Sequence, residues 1–227
     1  MISKALPELP KLDLRLMTVA SLVPVCGLAA DIGADHGRLS CYLLGMGICR
    51  SMIVSDISED SLRKAKALLN KHGLSHRARF IVADGLQAVQ EPVAAVIITG
   101  LGGKTISDIL LQSACPGQAA LLLSAHTQTQ LLRTTLKRMG YMILQELVLR
   151  DGGRYYTVIQ AKPGQADYTC RELFIGPTLR GTQSAKVSDY LLWRSKVLET
   201  ACVCDARHLE WLREEIDRAL CDEQDHL

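Results

Sequence analysis

Seven short apolar, β-branched runs alternate with longer helical patterns between residues 28 and 162 of this 227-residue chain. This alternation predicts an α/β protein with a mostly parallel sheet and crossover helices. We place the strands at 28–33, 51–56, 78–83, 94–100, 118–124, 141–150 and 154–161. We expect a helix after each of the first five strands. A Gly-rich hairpin loop at 151–153 joins the last two, so we expect the last strand to be antiparallel.

Helical periodicity also precedes and follows the predicted sheet. Apolar residues from Leu14 to Val23 mark a leading helix, and residues 58–71 read as a crossover helix capped by Ser58 or Asp60. The Lys-Pro-Gly run at 162–164 marks an exit, after which the periodicity predicts two helices of about 15 to 20 residues each. We therefore predict one domain over residues 1–163 and a C-terminal helical hairpin over 164–227.

Composition and charge restrict the class of protein. The chain is 48% hydrophobic and 22% charged, which is typical of a soluble globular protein. Its net charge of +2 predicts no overall positive field, so a nucleic acid would have to meet a local basic patch. We see no secretion signal or membrane-spanning run and expect a cytosolic protein. The eight cysteines form no C-x-x-C pair, so we expect neither zinc nor a disulfide framework.

The first predicted strand leads into Ala-Asp-Ile-Gly-Ala-Asp-His-Gly at 30–37. A dinucleotide fingerprint starting at Gly33 would need glycine at 35 and 38, where the chain has Asp35 and Arg38. A carboxylate there would repel a pyrophosphate, which disfavours NAD and FAD. S-adenosyl-L-methionine has no phosphate and carries a sulfonium and an ammonium group. The acids of this turn, Asp31 and Asp35, therefore fit that cofactor.

The next two predicted strands also end in acids. Asp56 lies where a carboxylate can accept hydrogen bonds from both ribose hydroxyls, and Asp84 where one can meet the amino group of adenine. A loop cap or a solvated turn would explain either acid alone, but not acids at three successive strand ends. The full set of expected cofactor-binding residues is Asp31, Gly33, Asp56, Ile57, Asp84, Gly85, Leu86 and Gly100.

The fourth predicted strand ends in Gly-Leu-Gly-Gly-Lys at 100–104. The run has no N/D-P-P-Y/F signature, which disfavours methylation of an exocyclic amine. It also has no cysteine nucleophile of the kind used at pyrimidine C5. Its three glycines suggest a loop that lets a flat group lie close to the cofactor, and a flexible turn is the alternative interpretation.

Seven short runs together resemble the bacterial family of tRNA (adenine-N1)-methyltransferases that modify adenine 22. These runs lie at 15–16, 30–36, 55–56, 84–86, 99–103, 131–133 and 140–141, and the match covers roughly residues 12–162. The resemblance implies a Rossmann-like class I methyltransferase fold, S-adenosyl-L-methionine as cofactor and tRNA as partner. It also implies transfer of a methyl group to N1 of adenine. From the sequence itself we expect no metal and no membrane, and we favour a monomer.

The resemblance also implies site roles. Asp35, His36 and Asp31 are the expected catalytic residues, which stabilise the charge that develops on the base or orient it. Arg15, Arg38, Leu101, Gly102 and Gly103 are the expected substrate-binding residues. Between residues 61 and 80 a run of Lys and Arg without an acid is a further candidate for contact with RNA, or a solvated helix face.

The chain departs from the family pattern at three places. Leu101 replaces a usual Met, Gly-Arg-Leu-Ser at 37–40 replaces Ala-Tyr-Leu-Pro, and Ser-Ala-His at 124–126 replaces a usual Gln-Pro. The first change conserves volume. The other two lie near the expected substrate mouth. Two alternatives therefore stay open: a methyltransferase that acts on a small molecule or protein, and a non-catalytic RNA-binding module that retains the fold.

Overall fold

The computed structural model describes residues 8–112, 117–200 and 206–221. The strands are β1 (Cys26–Ile32), β2 (Cys49–Asp56), β3 (Ala78–Val82), β4 (Ala95–Leu101), β5 (Ala120–Ala125), β6 (Tyr141–Asp151) and β7 (Arg154–Pro163). The helices are α1 (Leu14–Leu22), α2 (Arg38–Gly45), α3 (Glu59–Lys71), α4 (Gly103–Gln112), α5 (Thr129–Arg138), α6 (Cys170–Ile175), α7 (Ala185–Thr200) and α8 (Ala206–Cys221).

The strands form one sheet in the order β3-β2-β1-β4-β5-β7-β6. The strands from β3 across to β5 pair in parallel, and β7 pairs antiparallel with both β5 and β6. The predicted mixed sheet with an antiparallel last strand is therefore confirmed. The C-terminal helices are present as well.

The prediction of a helix after the third strand is wrong. In the described part of the chain, a short 3₁₀ turn (Gly85–Ala88) is the only helical element between β3 and β4. Gly85 has a positive φ of 55°, and Pro92 lies close before β4, so the segment has too little room for an α-helix. Leu86 and Val93 are nevertheless buried, in the same apolar cluster as Ile106 of α4.

Helix α3 shows how local sequence sets an element's start. The side chain of Ser58 accepts a hydrogen bond from the backbone N–H of Ser61 at 3.2 Å, so Ser58 is the N-cap and Asp60 is not. Leu62, Ala65 and Leu69 recur at helical spacing, and all three are buried against the sheet. The predicted helix at 58–71 is therefore present, and this spacing gives it one apolar face.

Side chains of the central strand, β1, point alternately to the two faces of the sheet, so the core has two layers. Ala29 packs with α1, α2 and α3, whereas its neighbours Ala30 and Ile32 pack with α4 and α5 on the other face. Because helices cover both faces, the strand ends are the part of the sheet that a ligand can reach. The carboxyl ends of β1 to β4 meet along the same edge.

The C-terminal helices form a further apolar cluster against β6. Phe174, Leu191 and Leu212 are buried together with Val148 of that strand. Helix α6 was not predicted, although Thr169 and Glu172 form a capping box directly before its apolar residues. The predicted domain division after residue 163 stays a prediction.

A buried ion pair joins this C-terminal part to the sheet. Arg133 of α5 is fully buried, and its Nε donates to Oε1 of Glu146 in β6 at 2.6 Å. Its Nη1 donates to the carbonyl oxygens of Leu173 and Phe174 at 3.2 and 3.1 Å. One guanidinium therefore connects α5, β6 and α6.

The described residues contain neither a membrane-spanning helix nor a metal-binding cluster. No helix there is both long and apolar enough to cross a membrane. The same residues contain no group of three or more His, Cys, Asp or Glu side chains arranged to hold a metal ion.

We predict that Arg133→Met destabilises the protein by about 3–5 kcal/mol, because it leaves the Glu146 carboxylate buried without its cation. Urea denaturation followed by circular dichroism measures the change. Arg63→Met is the matched control: Arg63 pairs with Asp60 on the surface, and loss of such a pair costs less than about 1 kcal/mol. Equal costs for the two variants would contradict the structural role of Arg133.

Candidate active site

A cavity of about 670 Å³ opens at the carboxyl ends of β1 to β4. Its size lies within the usual range of small-molecule sites, and this edge of an open α/β sheet is where such sites form. The wall consists of the turn after β1, the ends of β2, β3 and β4, the start of α1 and one face of α4.

The turn between β1 and α2 depends on residues with positive φ. Gly33 has a φ of 69° and open space where a side chain would stand, so a ligand can approach its backbone closely. Gly37 has a φ of 67°, and a Cβ there would lie 2.7 Å from the Cβ of Ala65. Asp35 adopts a φ of 49°, which costs roughly 1–2 kcal/mol for a residue other than glycine. Such strain is common at functional sites.

Asp56 holds this turn in place. Its Oδ2 accepts a hydrogen bond from the backbone N–H of Asp35, and its Oδ1 accepts one from the backbone N–H of Ser58, each at 2.9 Å. The carboxylate thus joins the turn after β1 to the start of α3. The sequence predicted Asp56 as a ribose acceptor, and the two uses are compatible because a carboxylate offers about four lone-pair sites.

Asp31 is buried, with 2% of its surface exposed, and it lines the cavity. The hydroxyl of Ser40 donates to its Oδ2 at 2.6 Å. Burial raises the pKa of the Asp31 carboxyl to about 6, the Ser40 hydrogen bond lowers that pKa, and the charge of Asp56 raises it. A cation bound in the cavity would therefore stabilise the ionised form of Asp31.

Asp35 and His36 lie at the mouth of the cavity. Their side chains are 72% and 48% exposed, and Nε2 of His36 lies 3.5 Å from Oδ1 of Asp35. The same Nε2 lies 3.4 Å from Nζ of Lys64. Both groups are therefore accessible to a large substrate, which Asp31 at the base of the turn is not.

Arg15 lies on the opposite wall. Its guanidinium stands 5.7 Å from the ring centroid of Tyr156 and 3.8 Å from the carboxylate of Asp13. Its buried Nη1 has no hydrogen-bond partner in the described part of the chain, and a Cβ at Gly100 would lie 3.7 Å from it. Arg38 donates to the backbone carbonyl of Lys11. Both arginines line the cavity, and the backbone carbonyl of Lys11 engages only Arg38.

The structure brings most of the predicted site residues to this one cavity. They are Arg15, Asp31, Gly33, Asp35, His36, Arg38, Asp56, Ile57, Asp84, Gly85, Gly100 and Leu101. Leu86, Gly102 and Gly103 do not line the cavity. Leu86 is buried in the core. A Cβ at Gly102 would lie 2.8 Å from Oγ1 of Thr127, so this glycine permits close packing of two loops.

Comparison with known proteins identifies the family. Residues 12–159 match a family model described as a methyltransferase domain. The tRNA (adenine(22)-N(1))-methyltransferase of Bacillus subtilis is 31% identical over 160 residues, which are 69% of this chain and 67% of that protein. The chain belongs to the tRNA (adenine(22)-N(1))-methyltransferase family.

Two further proteins agree with this assignment. A putative tRNA methyltransferase of Mycoplasma pneumoniae is 31% identical over 173 residues, which are 73% of this chain and 79% of that protein. A putative tRNA (m1A22) methyltransferase of Streptococcus pneumoniae, solved in complex with S-adenosyl-L-methionine, has a TM-score of 0.84 at 26% identity. That match covers 91% of this chain and 100% of the solved chain. The expected Rossmann-like methyltransferase fold is therefore confirmed.

Some residues that line the cavity of this methyltransferase were not predicted from the sequence. Asp13, Thr99, Thr105 and Ile109 also line it. Thr105 and Ile109 lie four residues apart and so share one face of α4. The sequence predicted the helix, but the face that meets the cavity depends on how α4 packs against the 3₁₀ turn after β3. Ile109 packs within 3.1 Å of the position of a Cβ at Gly85.

The basic run between residues 61 and 80 is partly used by the fold of this methyltransferase. Arg77 donates to the carbonyl oxygens of Leu44, Cys49 and Arg50 at 2.7–2.9 Å. Arg63 and Arg79 form ion pairs with acids outside the predicted run. The hydrogen bonds of Arg77 favour a structural role for it over contact with RNA.

We predict that Gly103→Ala destabilises the protein by about 1–3 kcal/mol, because the new Cβ would lie 2.4 Å from the carbonyl oxygen of Gln128. Thermal unfolding measures the loss. Gly27→Ala is the control, since a Cβ there would have nothing within 4 Å. If Gly103→Ala and Gly27→Ala unfolded at the same temperature, the close approach of α4 to this loop would be refuted.

Proposed function

We propose that this protein transfers the methyl group of S-adenosyl-L-methionine to N1 of adenine 22 in tRNA. The observation that carries the proposal is the buried Asp31 carboxylate in a cavity that Asp56 and Asp84 also line, in a member of this methyltransferase family. A cavity lined by these carboxylates suits a cation better than a phosphate. We further propose that the protein acts as a cytoplasmic monomer.

The cavity residues fit the methyl donor. When bound, S-adenosyl-L-methionine supplies an electrophilic methyl group on a sulfonium and an ammonium at its amino-acid end. Asp31 would attract the cationic end, and the open backbone of Gly33 would permit its close approach. The residues that would hold the nucleoside part are Asp56, Ile57, Asp84, Gly85 and Gly100.

The acceptor requires little acid–base chemistry from the chain. N1 of neutral adenine exposes a lone pair, so no proton has to leave before the methyl group arrives, and positioning dominates. Positive charge then spreads over the base, and a nearby carboxylate stabilises it. We assign this role to Asp35, with His36 orienting the base, because both lie at the exposed mouth. Asp31 is buried and engaged by Ser40, and we assign it to the cofactor.

The target base must leave its stack before it can enter the cavity, and cations are needed for the phosphates that flank it. Arg15 and Arg38 line the cavity and carry the charge for this role.

The proposal is tested by incubating the protein with labelled S-adenosyl-L-methionine and unmodified bulk tRNA, followed by nuclease digestion and mass spectrometry. We expect 1-methyladenosine, and sequencing of the modified tRNA maps it to position 22. Cofactor binding without label in RNA would reject the tRNA substrate and favour a small molecule or protein. Absence of cofactor binding would favour a non-catalytic module.

We predict that Asp35→Asn lowers the rate of tRNA methylation at least tenfold, because the carboxylate that stabilises the charged base is lost. Asparagine tolerates positive φ as aspartate does, so the turn should persist and thermal stability should stay near that of the unaltered protein. Single-turnover kinetics measure the rate. An Asp35→Asn variant with full activity would remove Asp35 from the proposed mechanism.

We also predict that Arg38→Glu weakens tRNA binding about tenfold and reduces the salt dependence of binding by about one phosphate contact. Affinity for the cofactor should stay unchanged. Fluorescence anisotropy at several salt concentrations tests both points. Arg138→Glu is the control, because Arg138 is an exposed arginine at the end of α5, away from the cavity. Equal tRNA affinities for the two variants would argue against contact through Arg38.

A further inference from the structure

Ser40 makes a buried hydrogen bond beside the cavity. It lies in the first turn of α2 and is fully buried. Its Oγ donates to Oδ2 of Asp31 at 2.6 Å, a short distance that is typical of a hydroxyl bonded to a carboxylate. The contact therefore joins a helix to the acid that ends the central strand.

The fold fixes the position of this hydroxyl. Helix α2 begins at the N-cap Gly37, whose positive φ lets the helix start against Ala65 of α3. Leu39 and Cys41, on either side of Ser40, are buried as well. The Ser40 side chain consequently has little freedom to leave Asp31, and the hydrogen bond costs little further conformational entropy.

We propose that Ser40 is a positioning residue that orients the Asp31 carboxylate and keeps it ionised for the cationic end of the methyl donor. This inference rests on the proposed function, because it takes S-adenosyl-L-methionine as the source of that cation. Ser40 itself does not line the cavity, so it acts through Asp31.

The physical reason is the cost of a buried charge. Without a donor, a buried carboxyl group favours its neutral form, and a hydrogen bond to the charged form opposes that tendency. At Asp31 these two effects are both present: burial raises the pKa to about 6, and Ser40 lowers it. A neutral Asp31 would offer an ammonium group no charge. Loss of the Ser40 hydroxyl should therefore weaken cofactor binding.

Calorimetric titration of the full chain with S-adenosyl-L-homocysteine tests the inference, since this product retains the ammonium group. At pH 7.5 we expect Ser40→Ala to weaken binding about tenfold, as removal of a hydrogen bond to a charged group typically does. Ser107→Ala is the matched control: Ser107 is 2% exposed, and its hydroxyl has no hydrogen-bond partner among the described residues. It should bind within about twofold of the unaltered protein.

A double-mutant cycle separates positioning from general loosening of the fold. In the Asp31→Asn background the charge is absent, so Ser40→Ala should change affinity less than about twofold. A tenfold loss that persists in that background would overturn the inference, because Ser40 would then act without Asp31.

The pH dependence of S-adenosyl-L-homocysteine affinity gives a second test, because a residue that acts only through packing would not change it. Because the cation binds the ionised carboxyl, affinity should fall as pH drops through the pKa of Asp31 near 6. Without the Ser40 hydrogen bond this pKa rises, so in Ser40→Ala the fall should begin at higher pH. The charged and titratable groups that share the cavity are Asp35, Asp56, Asp84, His36, Arg38 and Arg15 with its partner Asp13, and the buried thiol of Cys49 in β2 also interacts with Asp31. All of them remain in both variants, so they cancel in the comparison.

The outcomes distinguish the two claims. If the unaltered protein does not bind S-adenosyl-L-homocysteine, the proposed function is overturned, and this inference falls with it. If the unaltered protein and Ser40→Ala bind equally tightly with the same pH profile, only the role of Ser40 is overturned. Weaker binding by Ser40→Ala, with coupling to Asp31 and a shifted profile, establishes it.

Discussion

The carboxylate of Asp56 fixes the geometry on which the cavity depends. By accepting one backbone N–H from the turn after β1 and another from the start of α3, it holds two strand ends and a helix together. It also stabilises Asp35 in its left-handed conformation. That conformation turns the chain toward Gly37, from which α2 starts. Asp56 therefore shapes the site through the backbone, whatever its side chain does toward a ligand.

Most of the fold could be predicted from the sequence, because the patterns that indicate strands and helices have local causes. Strand runs, the Ser58 cap and the spacing of Leu62, Ala65 and Leu69 all follow from residue types a few positions apart. The error after β3 has a physical origin. Apolar residues there are buried as in a helix, but Gly85 and Pro92 restrict the backbone to a 3₁₀ turn. Burial and helix formation are separate properties, and only the first was evident from the pattern.

The site was predicted in part, for a similar reason. Parallel strands bring their carboxyl ends together, so acids at those ends could be assigned to one place from the sequence. What Gly102 and Gly103 approach could not be assigned, because it depends on the loop that contains Thr127 and Gln128. The bond from Ser40 to Asp31 spans nine residues and depends on how a sharp turn folds back. Periodicity carries no information about such contacts.

The insertion of β7 between β5 and β6 also orders the events of synthesis. A ribosome releases the chain from its N-terminal end, so β6 emerges before the strand that must separate it from the sheet. Until residues 154–163 have emerged, the edge of β5 stays open and β6 has no neighbour within the sheet. All the residues that line the cavity are encoded within the first 109 residues. Tyr156, whose ring centroid lies 5.7 Å from the guanidinium of Arg15, emerges much later, so the cavity residues are synthesised before the ring that contacts one of them.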